Sequence, residues 1–115
     1  MTYDLIIIGG GPAGAGGAVY AARKRLQTLF ITVEWGGQSI VSEKIFNWIG
    51  TPAISGNELA ENFKKHVLAN AAGTDNTLNT GSAGSTLAVK EDEKVISVIK
   101  NNEGFSVKTE RGENF

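Results

Sequence analysis

The apolar run Leu5-Ile6-Ile7-Ile8 passes without a break into Gly9-Gly10-Gly11-Pro12-Ala13-Gly14. A short β-branched run without polar alternation reads as a strand buried on both faces, here residues 3–8. Glycines at 9, 11 and 14 give a GxGxxG spacing, which alone is a weak signal. Position gives it weight: a strand leads into it, and Pro12 opens a helix where its missing N–H costs little. In such a junction Gly9 serves the tight turn and Gly11 lets a pyrophosphate approach the backbone, while Gly14 allows close helix–strand packing. The first amides of the helix, aided by its dipole, then face the phosphates. A glycine-rich turn with no ligand is the bland alternative.

The rest of the chain fits this start. Residues 12–24 read as a helix that sets Ala13, Val19, Tyr20 and Ala21 against a sheet. Arg23, Lys24 and Arg25 place positive charge at its C-terminus, as the dipole favours. Gly16 and Gly17 each weaken that helix by about 1 kcal/mol relative to Ala, unless their small size lets it approach a sheet or cofactor. Residues 28–33 form a second strand, so strand, helix and strand imply a parallel pair with a right-handed crossover. A second helix is expected over 57–70, with Ser55 and Glu58 at capping-box spacing and Gly73 as its stop. Leu59, Phe63 and Val67 share one face of it, and the lone His66 reads as structural or solvated rather than catalytic. Residues 74–86 are small, polar and nearly uncharged, the composition of a linker. From Leu87 the pattern returns to β, with strands at 95–99 and 105–109 around the turn Asn101-Asn102-Glu103-Gly104. A further turn follows at Arg111-Gly112-Glu113.

Composition removes several function classes. Eleven basic and twelve acidic side chains, spread along 115 residues, leave no basic stripe for nucleic acid. No cysteine is present, which excludes a disulfide framework, a CxxC redox pair and thiolate metal ligation by these residues. One histidine cannot build a histidine metal cluster. The apolar run at 5–8 is too short for a membrane span and lacks the flanks of a signal peptide, so a cytoplasmic protein is expected. Fifteen glycines are about twice the usual share, and they cluster at 9–17, 36–37 and 73–84.

Glu34 stands twenty residues beyond Gly14, just past the second strand. There it suits an acid accepting hydrogen bonds from an adenosine ribose; a solvated loop carboxylate is the alternative. Beyond it come Gly36-Gly37-Gln38 and Phe46-Asn47-Trp48-Ile49-Gly50-Thr51-Pro52. Together with YDLIIIGGGPAG, AVYAAR and ISGNELAENFKKH, these segments make the sequence resemble the thioredoxin reductase family, including the flavoprotein subunit of alkyl hydroperoxide reductase. The resemblance covers 1–70 closely and 87–115 more loosely.

That resemblance implies a Rossmann-like βαβ unit with a parallel sheet and a small antiparallel β-meander. It would form a single, incomplete FAD-binding domain: 1–73, a linker-like 74–86, and the meander at 87–115. It implies FAD as cofactor, held at Gly9, Gly10, Gly11, Pro12, Ala13, Gly14, Glu34, Gly37, Gln38, Asn47 and the backbone of Val95. Gln38 and Asn47 would lie along the flavin or ribityl portion, with amides that both donate and accept. Val95 would lie near the adenine. Trp48 is expected in the core, whereas Trp35 could serve either core or cofactor.

In the parent enzyme NADPH or NADH would give a hydride to FAD, and electrons would pass through a disulfide to a thioredoxin-like partner. The sequence departs from the family at Ala15-Gly16-Gly17 and at 74–86. It also stops before the strand that closes the FAD domain, without the NADPH domain or its CxxC pair. No turnover is therefore expected of this chain alone, and an open sheet edge invites self-association or a homodimer. Two other readings stay open: a non-catalytic or engineered nucleotide-binding fragment, and part of a thioredoxin-reductase-like ferredoxin–NADP reductase.

Overall fold

The computed structural model describes residues 2–72 and 84–115. Its elements are β1 (Leu5–Gly10), α1 (Pro12–Arg23), β2 (Thr28–Trp35), a 3-10 helix (Gly37–Val41), α2 (Gly56–Asn70), β3 (Leu87–Lys90), β4 (Val95–Asn101) and β5 (Gly104–Thr109). β2 lies in the middle of a parallel sheet of order β1-β2-β3, with Leu5 beside Thr28 and Thr28 beside Leu87. Residues 87–90 thus belong to the parallel sheet, and the antiparallel part is the β4–β5 hairpin.

Alternation along β2 builds two cores. Phe30 faces Ala15, Ala18, Leu59, Phe63 and Val67, while Leu29 and Ile31 face Val107 of the hairpin. Successive strand side chains point to opposite faces, so helices cover one side of the sheet and the hairpin covers the other. The expectation of a first strand buried on both faces does not hold. Among the described residues β1 lies at an edge of the sheet, and the hairpin-side core reaches its segment only at Tyr3 and Ile6. Ile8 remains 48% exposed.

α1 packs through a stripe of buried alanines, Ala15, Ala18 and Ala21, at three-residue spacing. At Gly14 it lies directly against the end of β1, where an added Cβ would overlap the carbonyl oxygen of Gly9. The expected benefit of Gly16 and Gly17 is not found: a Cβ on Gly16 meets nothing within 4 Å, and one on Gly17 meets only Ile7 Cδ1 at an ordinary 3.5 Å. We expect Gly16→Ala to stabilise the fold by about 0.5–1 kcal/mol through helix propensity and a less flexible unfolded chain. Urea denaturation followed by circular dichroism checks this.

At the start of α2 the Ser55 hydroxyl accepts a hydrogen bond from the Glu58 amide at 3.1 Å, the cap expected from their spacing. Ser55→Ala should cost about 1 kcal/mol in the same unfolding measurement. Gly56 fixes this helix start against the 3-10 helix, because a side chain there would overlap the Ser39 carbonyl oxygen. Leu59, Phe63 and Val67 are buried as their shared face requires, and His66 is exposed. The expected stop at Gly73 and residues 74–83 of the expected linker lie outside the described residues.

The hairpin turns through Asn102 and Glu103, with Asn101 Oδ1 accepting from the Glu103 amide at 2.9 Å. After a turn closed by Gly112 N–H donating to Thr109 O, Phe115 and Val107 exchange two backbone bonds of 2.8 Å. Among the described residues no helix is long and apolar enough to cross a membrane.

Candidate functional site

At the C-terminal end of β1 and β2 lies a cleft of about 280 Å3. Gly9, Gly10 and Gly11 form one wall, Thr32 and Glu34 come from β2, and Glu93, Lys94 and Val95 approach from the hairpin side. Gly9 turns the chain at φ +106°, a conformation that disfavours any side chain. At Gly10 a Cβ would stand 2.7 Å from Thr32 Oγ1 and 2.8 Å from Glu34 O, which accounts for a glycine between the motif positions. Gly11 is the N-cap of α1 in extended backbone (φ −78°, ψ −172°).

No side chain caps α1, and no acid stands in its first turn. The Ala13 and Gly14 amides have no intrahelical acceptor by the geometry of any helix. A helix start stripped of both competing groups is suited to an anion. Gly37 packs across from it: a Cβ on Gly37 would stand 3.1 Å from Gly11 Cα, and Gly36 N–H donates to Gly10 O at 2.9 Å. The glycines at 36–37 therefore close the same corner as the glycines at 9–11.

The structure brings together Gly9, Gly10, Gly11, Glu34, Gly37 and Val95 around one cleft. Pro12, Ala13 and Gly14 form the adjoining first turn of α1. Gln38 and Asn47 do not line this cleft; both are exposed, Gln38 on the 3-10 helix and Asn47 on the loop after Ile45. Trp35 stacks on Phe30 with centroids 5.2 Å apart and donates its indole N–H to Glu91 at 2.7 Å, so it serves the core. Trp48 corrects its expectation: it is 39% exposed and meets Phe63 only edge-on. The loop that carries it lies over the groove between α1 and α2 rather than inside the core.

Sequence reasoning missed Thr32, Glu93 and Lys94. Glu93 sits within Lys90-Glu91-Asp92-Glu93-Lys94, a charge run that reads as a solvated turn. Its amide instead donates to Thr32 O at 3.1 Å, which draws the residue in against β2. A larger hollow of about 530 Å3 lies on the α2 side of Glu34, lined by Trp35, Ala60 and Lys64 among others. It contains none of the loop glycines, which line the smaller cleft instead. Among the described residues no three acids or histidines are grouped to hold a metal.

A parallel βαβ unit with a glycine junction facing an uncapped helix start is a Rossmann-type dinucleotide fold. No protein-family model matches the chain. Curated relatives include NADH dehydrogenase of Bacillus subtilis, 40% identical over 65 residues, which are 56% of this chain and 13% of that protein. Thioredoxin reductase of Coxiella burnetii is 44% identical over 66 residues, 56% of this chain and 21% of that one. Among solved structures, thioredoxin reductase of Lactococcus lactis superposes with a TM-score of 0.79 at 25% identity, over 99% of this chain and 32% of that one. By sequence and fold the chain is similar to part of the thioredoxin reductases, and it spans no more than about a third of the length of these relatives.

Proposed function

We propose that this chain supplies the FAD cradle of a thioredoxin-reductase-like oxidoreductase, with hydride from NADPH or NADH reaching FAD and electrons passing on to a disulfide and a thioredoxin-like partner. The uncapped start of α1, faced by Gly37 and followed by Glu34 at the end of β2, is the observation that carries this reading. The residues fit an FAD diphosphate: Gly11 leaves the approach to the helix amides clear, and Glu34 is exposed and able to accept from ribose hydroxyls. Bound FAD supplies the hydride-accepting and electron-passing chemistry, and the protein's share is to hold and orient it. These 115 residues contain no cysteine, so no disulfide relay is among them. The likeness to an NADH dehydrogenase favours a second reading, in which the parent passes electrons to an acceptor other than a disulfide.

Calorimetry of the purified chain with FAD, ADP and riboflavin tests the cradle. FAD and ADP should bind comparably and riboflavin at least about tenfold more weakly, since the adenosine diphosphate half makes the contacts described. Riboflavin binding as tightly as FAD, or no binding of FAD, overturns it.

A further inference from the structure

The end of the sheet opposite the glycine junction carries charge that nothing described so far uses. A hollow of about 230 Å3 lies where α1 and α2 end and β3 begins, lined by Arg23, Arg25, Asn70, Ser85 and Thr86 among others. It shares no residue with the glycine cleft, and no acid lines it. Both arginines are exposed, and neither pairs with an acid among the described residues. Arg25 donates one hydrogen bond, from Nη1 to the Gly84 carbonyl oxygen at 3.4 Å. The neighbouring polar groups are already engaged. Ser85 Oγ donates to the Asn70 carbonyl and accepts from the Leu87 amide, and Asn70 Nδ2 donates to the His66 carbonyl. The guanidinium N–H groups are what this hollow offers a ligand.

Arg25 stands there against the preference of its backbone. Leu26 N–H donates to Ala21 O at 3.1 Å and Arg25 N–H to Ala22 O at 3.0 Å, the two bonds of a Schellman helix end. That motif holds Arg25 at φ 60°, in the left-handed region where glycine is the usual occupant. A cation in the last turn complements the helix dipole, and Arg23 already supplies it. One long hydrogen bond is a weak structural reason for an arginine in that conformation, and such outliers gather where a ligand is held.

We infer that Arg23 and Arg25 form a binding site for a phosphate dianion, free or as the monoester of a small molecule. Guanidinium groups only donate, so the ligand must present acceptors. Each planar fork engages two oxygens of an anion. A carboxylate is used up by one fork, whereas a phosphate keeps further oxygens and a second charge for the other. The site lies apart from the glycine cleft and does not depend on the nucleotide reading.

The test titrates the isotope-labelled chain with inorganic phosphate, glycerol 3-phosphate and acetate at constant ionic strength, following backbone amides. Both phosphates should give saturable shifts at Arg25, Leu26 and Ser85, half-complete on the order of 1–10 mM for so exposed a pair. Whichever saturates first tells free phosphate from monoester. In Arg25→Gly the same shifts should need at least about tenfold more phosphate, while the melting midpoint rises by roughly 2–5 °C as the backbone strain is relieved. Arg23→Gln should weaken the shifts similarly and leave the midpoint within about 2 °C. Acetate saturating these amides as readily as phosphate overturns the assignment. Phosphate shifts confined to residues 9–14 also overturn it, leaving the glycine cleft intact. A lower midpoint in Arg25→Gly would show that the arginine serves the fold, and overturns it as well.

Discussion

Gly14→Ala is expected to abolish the cooperative unfolding transition of the chain, or to lower its stability by about 3 kcal/mol or more. The added methyl would occupy the place of the Gly9 carbonyl oxygen, and the Gly9 carbonyl carbon lies only 3.0 Å from it. Both obstacles are backbone. Gly9 is held at φ +106° by the turn that joins β1 to α1, so its carbonyl cannot swing aside as a flexible side chain could. Relief would require α1 to lift from the sheet, uncovering Ala15 and Ala18, which are buried against Phe30. Small domains have total stabilities near the low end of about 5–15 kcal/mol, so a loss of this size is a large share of the whole. Thermal and urea unfolding by circular dichroism measure it. Gly16→Ala, two residues along the same helix, is expected to shift the midpoint the opposite way, which separates a steric effect from a general one.

Gly11→Val is expected to leave the fold standing and remove nucleotide binding. The nearest atom to a Cβ at this position is Gly37 Cα at 3.7 Å, an ordinary contact, and the backbone is extended, a conformation valine adopts readily. Stability should therefore change by no more than about 1 kcal/mol, the cost of a poorer N-cap. On the proposed FAD-cradle reading, the branched side chain would stand between the diphosphate and the helix amides. Losing two charge-assisted hydrogen bonds corresponds to a fall in ADP affinity on the order of 100-fold or more. Calorimetry with ADP on a variant whose melting curve matches wild type gives the answer. Wild-type affinity in that variant would show that the loop does not meet the phosphates.

The two glycines illustrate what the sequence discloses. Strand, glycine junction, helix and strand are legible because each has a local cause: β-branched residues before Gly9, Pro12 at the helix start, and Ser55 at the cap of α2. The packing role of Gly14 follows from its spacing, but the reason for Gly10 does not. It depends on Thr32 and Glu34, which only the pairing of β1 with β2 brings beside it. The 3-10 helix is not legible because its five residues carry no period of their own; Gly56 and Ala60 of α2 hold it from outside. Ile8 reads as buried because an apolar run does not reveal which strand lies at the sheet edge. Glu93 is hidden for a related reason. A charge run looks solvated until a backbone bond to Thr32 draws one member inward.

The most direct measurement is an ADP titration of the isotope-labelled chain followed through its backbone amide resonances. The expected result is saturable shifts, largest at Gly11, Ala13 and Gly14, with smaller ones at Glu34 and Gly37. Saturable binding whose shifts leave residues 9–14 unmoved, or no change at millimolar ADP, would contradict a phosphate held at the start of α1.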